Sequence, residues 1–176
     1  MAALRVTREV GIAALVVGAV SFSGCNPIEY HGPNSGIDGV LWRQIATFED
    51  PMTFYESSTR VPATYLSELG GDRWNGSVST LPDLSIGGIV LYEVSTSASN
   101  AECSVFISSG PRPDVQTDAG QVYSGPSQVY TCYGIATDLS SANVIVERTI
   151  FTECPVALVN LLPADAAFAS GDVFDG

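Results

Sequence analysis

Apolar positions follow two regimes along this chain. Near the N-terminus, Val10 to Val20 is an unbroken run without a charged side chain. From Ile37 the apolar residues Ile37, Val40, Leu41, Ile45 and Phe48 recur at three- and four-residue steps. That spacing lines one face of an amphipathic helix, so a helix is expected to about Phe48, with Ser35 available as its cap and Pro51 as its stop. Gly39 works against it, since glycine is a poor helix former. A second, shorter helix is expected over Pro62 to Leu69: proline suits the first helical position, and Gly70-Gly71 stands just past the end. Asp72 to Leu84 has no period and contains the turn signal Trp74-Asn75-Gly76.

The second half reads as strands. Ile89 to Val94 is followed by the polar turn Ser95 to Asn100, and Glu102 to Ser108 alternates, with Cys103, Val105 and Ile107 on one side and Ser104 and Ser108 on the other. A long Pro/Gly loop, Ser109 to Pro126, separates this pair from Gln128 to Thr137, which is rich in Val, Tyr and Thr as strands tend to be. Asp138 to Ala142 turns that run back into Asn143 to Phe151. Pro155 to Leu162 is apolar throughout and bounded by prolines; it is expected as a buried C-terminal helix, although periodicity alone does not separate it from a strand. Ala164 to Gly176 is small and acidic and is expected to fray. The expectation is therefore a single small α+β domain: an antiparallel sheet of about four strands, N-terminal helices and one C-terminal helix.

The first apolar run has a different meaning. Arg5 and Arg8 precede it and the small residues Ser23 and Gly24 close it, which is the layout of a secretory signal peptide. At about 1.5 Å per residue, Val10 to Val20 falls well short of a hydrocarbon core of roughly 30 Å. Its end, Phe22-Ser23-Gly24-Cys25, resembles the lipobox of bacterial lipoproteins, in which a small pair precedes an obligate cysteine; Phe22 stands where leucine is usual. The resemblance implies diacylglycerol transfer to the Cys25 thiol, cleavage after Gly24, and an extracytoplasmic chain whose partner is the membrane through that lipid. An ordinary secreted protein cut after Ser23 is the alternative, because Ser21-Phe22-Ser23 is also a small-x-small exit. On the lipoprotein reading the chain divides into a signal peptide (1–24), a lipidated cysteine and flexible tether (25–36), a globular domain (37–163) and an acidic tail (164–176).

Removing residues 1–24 leaves 152, enough for one domain with a real core. It also leaves 18 acidic residues against five arginines, and the chain contains no lysine. Binding nucleic acid requires neutralising phosphates with Lys and Arg, so that function is excluded. The acidic surface keeps such a domain soluble.

Candidate chemistry is sparse. The single histidine, His31, lies in the tether, where it is expected to be solvated, so a His-based nucleophile triad has no base. No phosphate-cradling glycine loop is present, and no paired Cys spacing suggests zinc. Asp114 and Asp118 sit in the long loop without the ligand rhythm of a calcium loop. No catalytic residue, metal or cofactor is expected. Trp42 and Trp74 are read as packing residues, and Tyr123, Tyr130 and Tyr133, which flank the long loop, as a possible binding surface. The leading function is a non-catalytic binding or accessory module that meets an envelope protein or a wall ligand. The alternative is a small cell-envelope hydrolase using paired carboxylates. A two-lobed solute-binding protein would need a longer chain.

With Cys25 lipidated, Cys103, Cys132 and Cys154 remain, and an exported domain oxidises thiols that lie close together. If the strand Glu102–Ser108 pairs antiparallel with Gln128–Thr137, Cys103 falls near Cys132, and that bridge is the one expected. Cys154 would then be a buried free thiol. The rival is Cys132–Cys154, tying the last apolar segment to the sheet.

Overall fold

A computed structural model describes residues 28–29, 38–53, 61–111, 125–140, 144–169 and 171–174. Two residues, Ile28–Glu29, form β1. Helix α1 (Asp38–Thr53) follows, and its apolar stripe is the one the periodicity marks: Leu41, Ile45 and Phe48 are buried. The helix does not stop at Pro51. Met52, one residue further, is fully buried and holds the last turn in place, so a single missing N–H donor does not end it. Helix α2 (Pro62–Glu68) has Pro62 at its first turn as expected and buries Tyr65 and Leu66. Then come β2 (Asp72–Arg73), a 3₁₀ turn at Val78–Thr80, β3 (Gly88–Thr96), β4 (Asn100–Ser108), β5 (Val129–Asp138) and β6 (Ile145–Ile150). After them come α3 (Val156–Val159), β7 (Ala167–Phe168) and a 3₁₀ turn at Gly171–Phe174.

The domain is α+β, but its sheet is mixed and has seven strands among the described residues rather than about four antiparallel ones. The four long strands β3 to β6 pair antiparallel in sequence order, as their hydrophobic runs imply. The short strands add parallel pairings: β2 beside β3, and β7 beside both β5 and β1. β5 thus has a divided edge, with β7 taking Val129–Tyr130 and β6 taking Tyr133–Asp138. Two-residue strands carry no readable alternation, which is why sequence periodicity does not reveal them.

Both faces of the central strands are covered. Leu91 of β3, Cys103, Val105 and Ile107 of β4, and Val129, Tyr133 and Ile135 of β5 pack against α1 and α2. The alternate positions Val90, Tyr92, Phe106, Tyr130 and Cys132 pack against Trp74, Leu84, Leu158, Leu162 and Phe168. Ser104 and Ser108, expected on a polar face, are buried with them, and Ser108 Oγ donates to Gln128 Oε1 at 3.0 Å.

Three further expectations change. Residues 164–176 are not simply a frayed tail, since Ala167, Phe168 and Ala169 are buried; Ala167 N–H bonds Gln128 O at 3.0 Å and Ala169 N–H bonds Tyr130 O at 2.8 Å. Short apolar triplets can complete a sheet when a strand edge is vacant, and β5 offers one. Likewise the stretch 25–36 is not tether throughout, because Ile28 and Glu29 pair with Ala167 and Phe168. The Pro155–Leu162 segment is helical for four residues only, continuing as tight turns (Leu161 N–H to Leu158 O, Leu162 N–H to Val159 O).

Candidate functional site

Two clefts open beside β3, at the β2 edge of the sheet. The first, of about 870 Å³, lies between α1, the end of α2 and the start of β3. Arg43, Gln44, Thr47, Phe48 and Pro51 line it from α1, Glu68 to Gly71 from the α2 exit, and Gly88 and Ile89 from β3. Gly71 forms the floor: its φ is +95°, and a Cβ there would fall 2.8 Å from Ile89 O, so only glycine lets the α2 exit lie on β3. The exit is fastened by Arg73, whose guanidinium donates to the carbonyls of Leu66, Leu69 (3.0 Å) and Gly71 (3.2 Å), satisfying helix-end acceptors. Within this apolar cleft Gln44 Oε1 is buried and accepts no hydrogen bond. A volume of this size with mainly apolar walls and a few polar side chains among them, Thr47 and Glu68, is what a small-molecule site requires.

The second cleft, of about 840 Å³, is lined by Arg73 to Gly76, Thr80, Leu91 to Val94 and Pro155. Trp74 and Tyr92 meet there as a tilted pair, their centroids 6.2 Å apart. Trp74 Nε1–H donates to Ser77 O at 2.9 Å, and Asn75 Oδ1 accepts from both Ser77 N–H and Thr80 Oγ–H, which ties the turn to itself. The strand opposite is irregular: register slips between Tyr92 and Ser95, and within that bulge Glu93 takes φ +50°. A non-glycine residue in the left-handed region costs of order 1 kcal/mol and re-aims its side chain. Glu93 Oε2 accepts from Ser104 Oγ–H at 3.0 Å. Burial, and next the Glu93 charge, push the Tyr92 phenol up to about 12.

The residues singled out from the sequence are not gathered at either cleft. Tyr130 and Tyr133 are 2% and 0% exposed and point to opposite faces of the sheet, so neither forms a binding surface. Three residues apart on one strand they cannot share a face. Tyr123, His31, Asp114, Asp118 and the lipidation candidate Cys25 lie outside the described residues. Trp42 is 42% exposed rather than packed, whereas Trp74 is nearly buried. Each cleft is lined by one carboxylate, Glu68 in the first and Glu93 in the second, so the described residues bring no carboxylate pair into either. No three metal-ligating side chains gather among the described residues. Glu93, Gln44 and Arg73 escape sequence reasoning; the Gly70-Gly71 and Gly87-Gly88 doublets were the available signals of close backbone approach beside β3.

The disulfide is Cys132–Cys154, not Cys103–Cys132. Register explains the correction: Cys103 faces Ile135 and Cys132 faces Phe106. The two thiols are therefore on opposite faces of the sheet, and side chains alternate too strictly for them to meet. Cys103 is instead a buried free thiol on the helical face. Burial pushes it from 9.0 up to about 11, with nearby Arg73 acting in the other direction. A thiol that stays protonated in the fold, and ionises near 9 when unfolded, contributes a stability fully present below pH 9. That contribution is lost as pH rises towards 11, by up to about 1.4 kcal/mol per pH unit. Urea unfolding between pH 8 and 11 should show this fall, and Cys103→Ala should flatten its first part. An unchanged slope in the variant would mean that the thiol does not titrate this way.

On the far side of the domain, Glu49 and Arg148 join α1 to β6 through two hydrogen bonds, one of 3.1 Å. The guanidinium lies 4.9 Å from the Phe174 ring centroid and 5.8 Å from that of Tyr133, and those rings meet edge to face at 5.0 Å. A half-buried bidentate pair stacked on two rings is a clasp for the Gly171–Phe174 turn. Burial, and after it the Glu49 charge, keep the Tyr133 phenol protonated far above its ordinary range. No helix among the described residues is long and apolar enough to cross a membrane. Set against protein-family models, curated proteins and solved structures, the chain matches none of them.

Proposed function

We propose that this chain is an extracytoplasmic lipoprotein, held to the membrane by a diacylglyceryl group on Cys25, whose domain is a non-catalytic module that binds an apolar or amphipathic ligand between α1 and β3. The observation that carries the binding reading is the first cleft, an opening of about 870 Å³ walled by Phe48, Pro51, Leu69 and Ile89. An apolar ligand would bury its surface there, and an amphipathic one would turn its polar end towards Thr47 and Glu68. The Cys132–Cys154 disulfide supports export, since such bonds persist in oxidising compartments.

One preparation tests both halves. Full-length protein expressed with its leader should partition into detergent and carry diacylglyceryl mass on an N-terminal Cys25, and Cys25→Ser should abolish this. An unlipidated N-terminus at Gly24 would overturn the anchor. The folded domain should bind the fluorescent apolar probe N-phenyl-1-naphthylamine saturably, and Thr47→Trp, which fills the cleft mouth from an exposed position, should remove that binding with an unchanged circular dichroism spectrum. A wild-type domain that never saturates, or a variant that binds equally well, would overturn the ligand site.

A further inference from the structure

We infer that the second cleft is a binding site for a small organic ammonium ion, with Glu93 as its counter-charge and Trp74 and Tyr92 as its aromatic walls. The Trp74 N–H and the Asn75 side-chain oxygen are spent within the 74–80 turn. Glu93 differs. One carboxylate oxygen takes the Ser104 hydroxyl, the other accepts nothing from the described residues, and no described basic side chain pairs with it. Arg73 lines the same cleft, but its guanidinium is committed to the carbonyls of Leu66, Leu69 and Gly71 on the helical side. The cleft therefore presents a carboxylate with no ion-pair partner among the described residues, beside two ring systems.

The backbone supports the same conclusion. Glu93 is the one non-glycine residue with positive φ among the described residues, and the bulge that imposes this conformation brings its carboxylate to the Ser104 side, the face that Tyr92 also occupies. Strain of this kind concentrates where a side chain must be held in a required direction. A cation seated beside the Glu93 carboxylate, against the parts of Trp74 (8% exposed) and Tyr92 (5% exposed) that reach the cleft, gains charge pairing and cation–π attraction together. A neutral sugar would leave the charge unused, and an anion would be repelled by it. The formal net charge of −12 further enriches cations around the domain.

Choline is a suitable probe, and its neutral isostere 3,3-dimethylbutan-1-ol the control. In a Trp42→Phe background the remaining tryptophan is Trp74, so its fluorescence reports the cleft directly. Choline should shift that emission saturably, and the neutral alcohol should bind at least roughly tenfold more weakly. Glu93→Gln, which keeps the size and the Ser104 bond, should weaken choline by roughly tenfold while leaving the alcohol unchanged. Raised sodium chloride should weaken choline alone, a readout that needs no variant. No saturable shift, equal affinity for the alcohol, or insensitivity to both Glu93→Gln and salt would each overturn the assignment.

Discussion

Phe106→Ala is expected to destabilise the domain by about 3–5 kcal/mol, the range for truncating a fully buried aromatic residue. Phe106 lies on β4, which has a neighbouring strand on each side, and its side chain is completely inaccessible. Its ring stacks on Tyr130 with centroids 5.7 Å apart, and Tyr130 in turn meets Phe168 at 5.8 Å. Removing the first ring of that series opens a void that flanking strands cannot close without breaking their ladders. For a domain of this size, each kilocalorie shifts the melting temperature by roughly 2–4 °C, so a fall on the order of 10 °C should be visible by circular dichroism. A loss below about 1 kcal/mol would mean that the second face of the sheet is not packed as described.

Removing the disulfide, by Cys132→Ala with Cys154→Ala, is expected to cost about 3 kcal/mol. The bridge closes a loop with a sequence separation of 22, and loop-closure entropy for that length is of this size. The bond also fixes the α3 segment, where Val156 is exposed and only Leu158 and Leu162 are buried, with Ala157, Val159 and Leu161 partly so. Limited proteolysis should therefore cut the variant first between β6 and β7. Peptide mapping without reduction gives an independent check: the Cys154 peptide should travel with the Cys132 peptide, and the Cys103 peptide should be free. A variant as stable as the wild type would remove the bridge from the account of stability.

What could be read ahead of the structure follows from how far each signal extends along the chain. The α1 stripe and the four long strands have enough residues for their periods to show, and Leu41, Ile45, Val105 and Ile107 are buried where those periods place them. β2, β7 and β1 have two residues each and depend on a neighbour's vacant edge, which is tertiary information. Alternation in β4 also misled, because Ser104 and Ser108 suggest a wet face that Phe106 and the 154–168 segment in fact cover. The cysteine pairing turned on register parity: a shift of one residue would have put Cys103 and Cys132 on the same face. Neither cleft was legible. Glu93 owes its position to a bulge, and no residue type in Tyr92-Glu93-Val94 signals one.

The parallel pairing of β1 with β7 has a mechanical consequence for the proposed anchor. Only three peptide links separate Cys25 from Ile28, a reach of at most ~10 Å even when fully extended. A domain hung this way would not roam on a long leash; its β1 edge would ride against the headgroups. β1 and β2 end the strand order β1-β7-β5-β4-β3-β2, five spacings apart. At about 4.8 Å per spacing, the β2 edge and both clefts beside it lie some 24 Å across the sheet from the attachment point. The sheet would then act as a short boom, fixed at the bilayer and offering its two openings to whatever passes beyond the lipid surface.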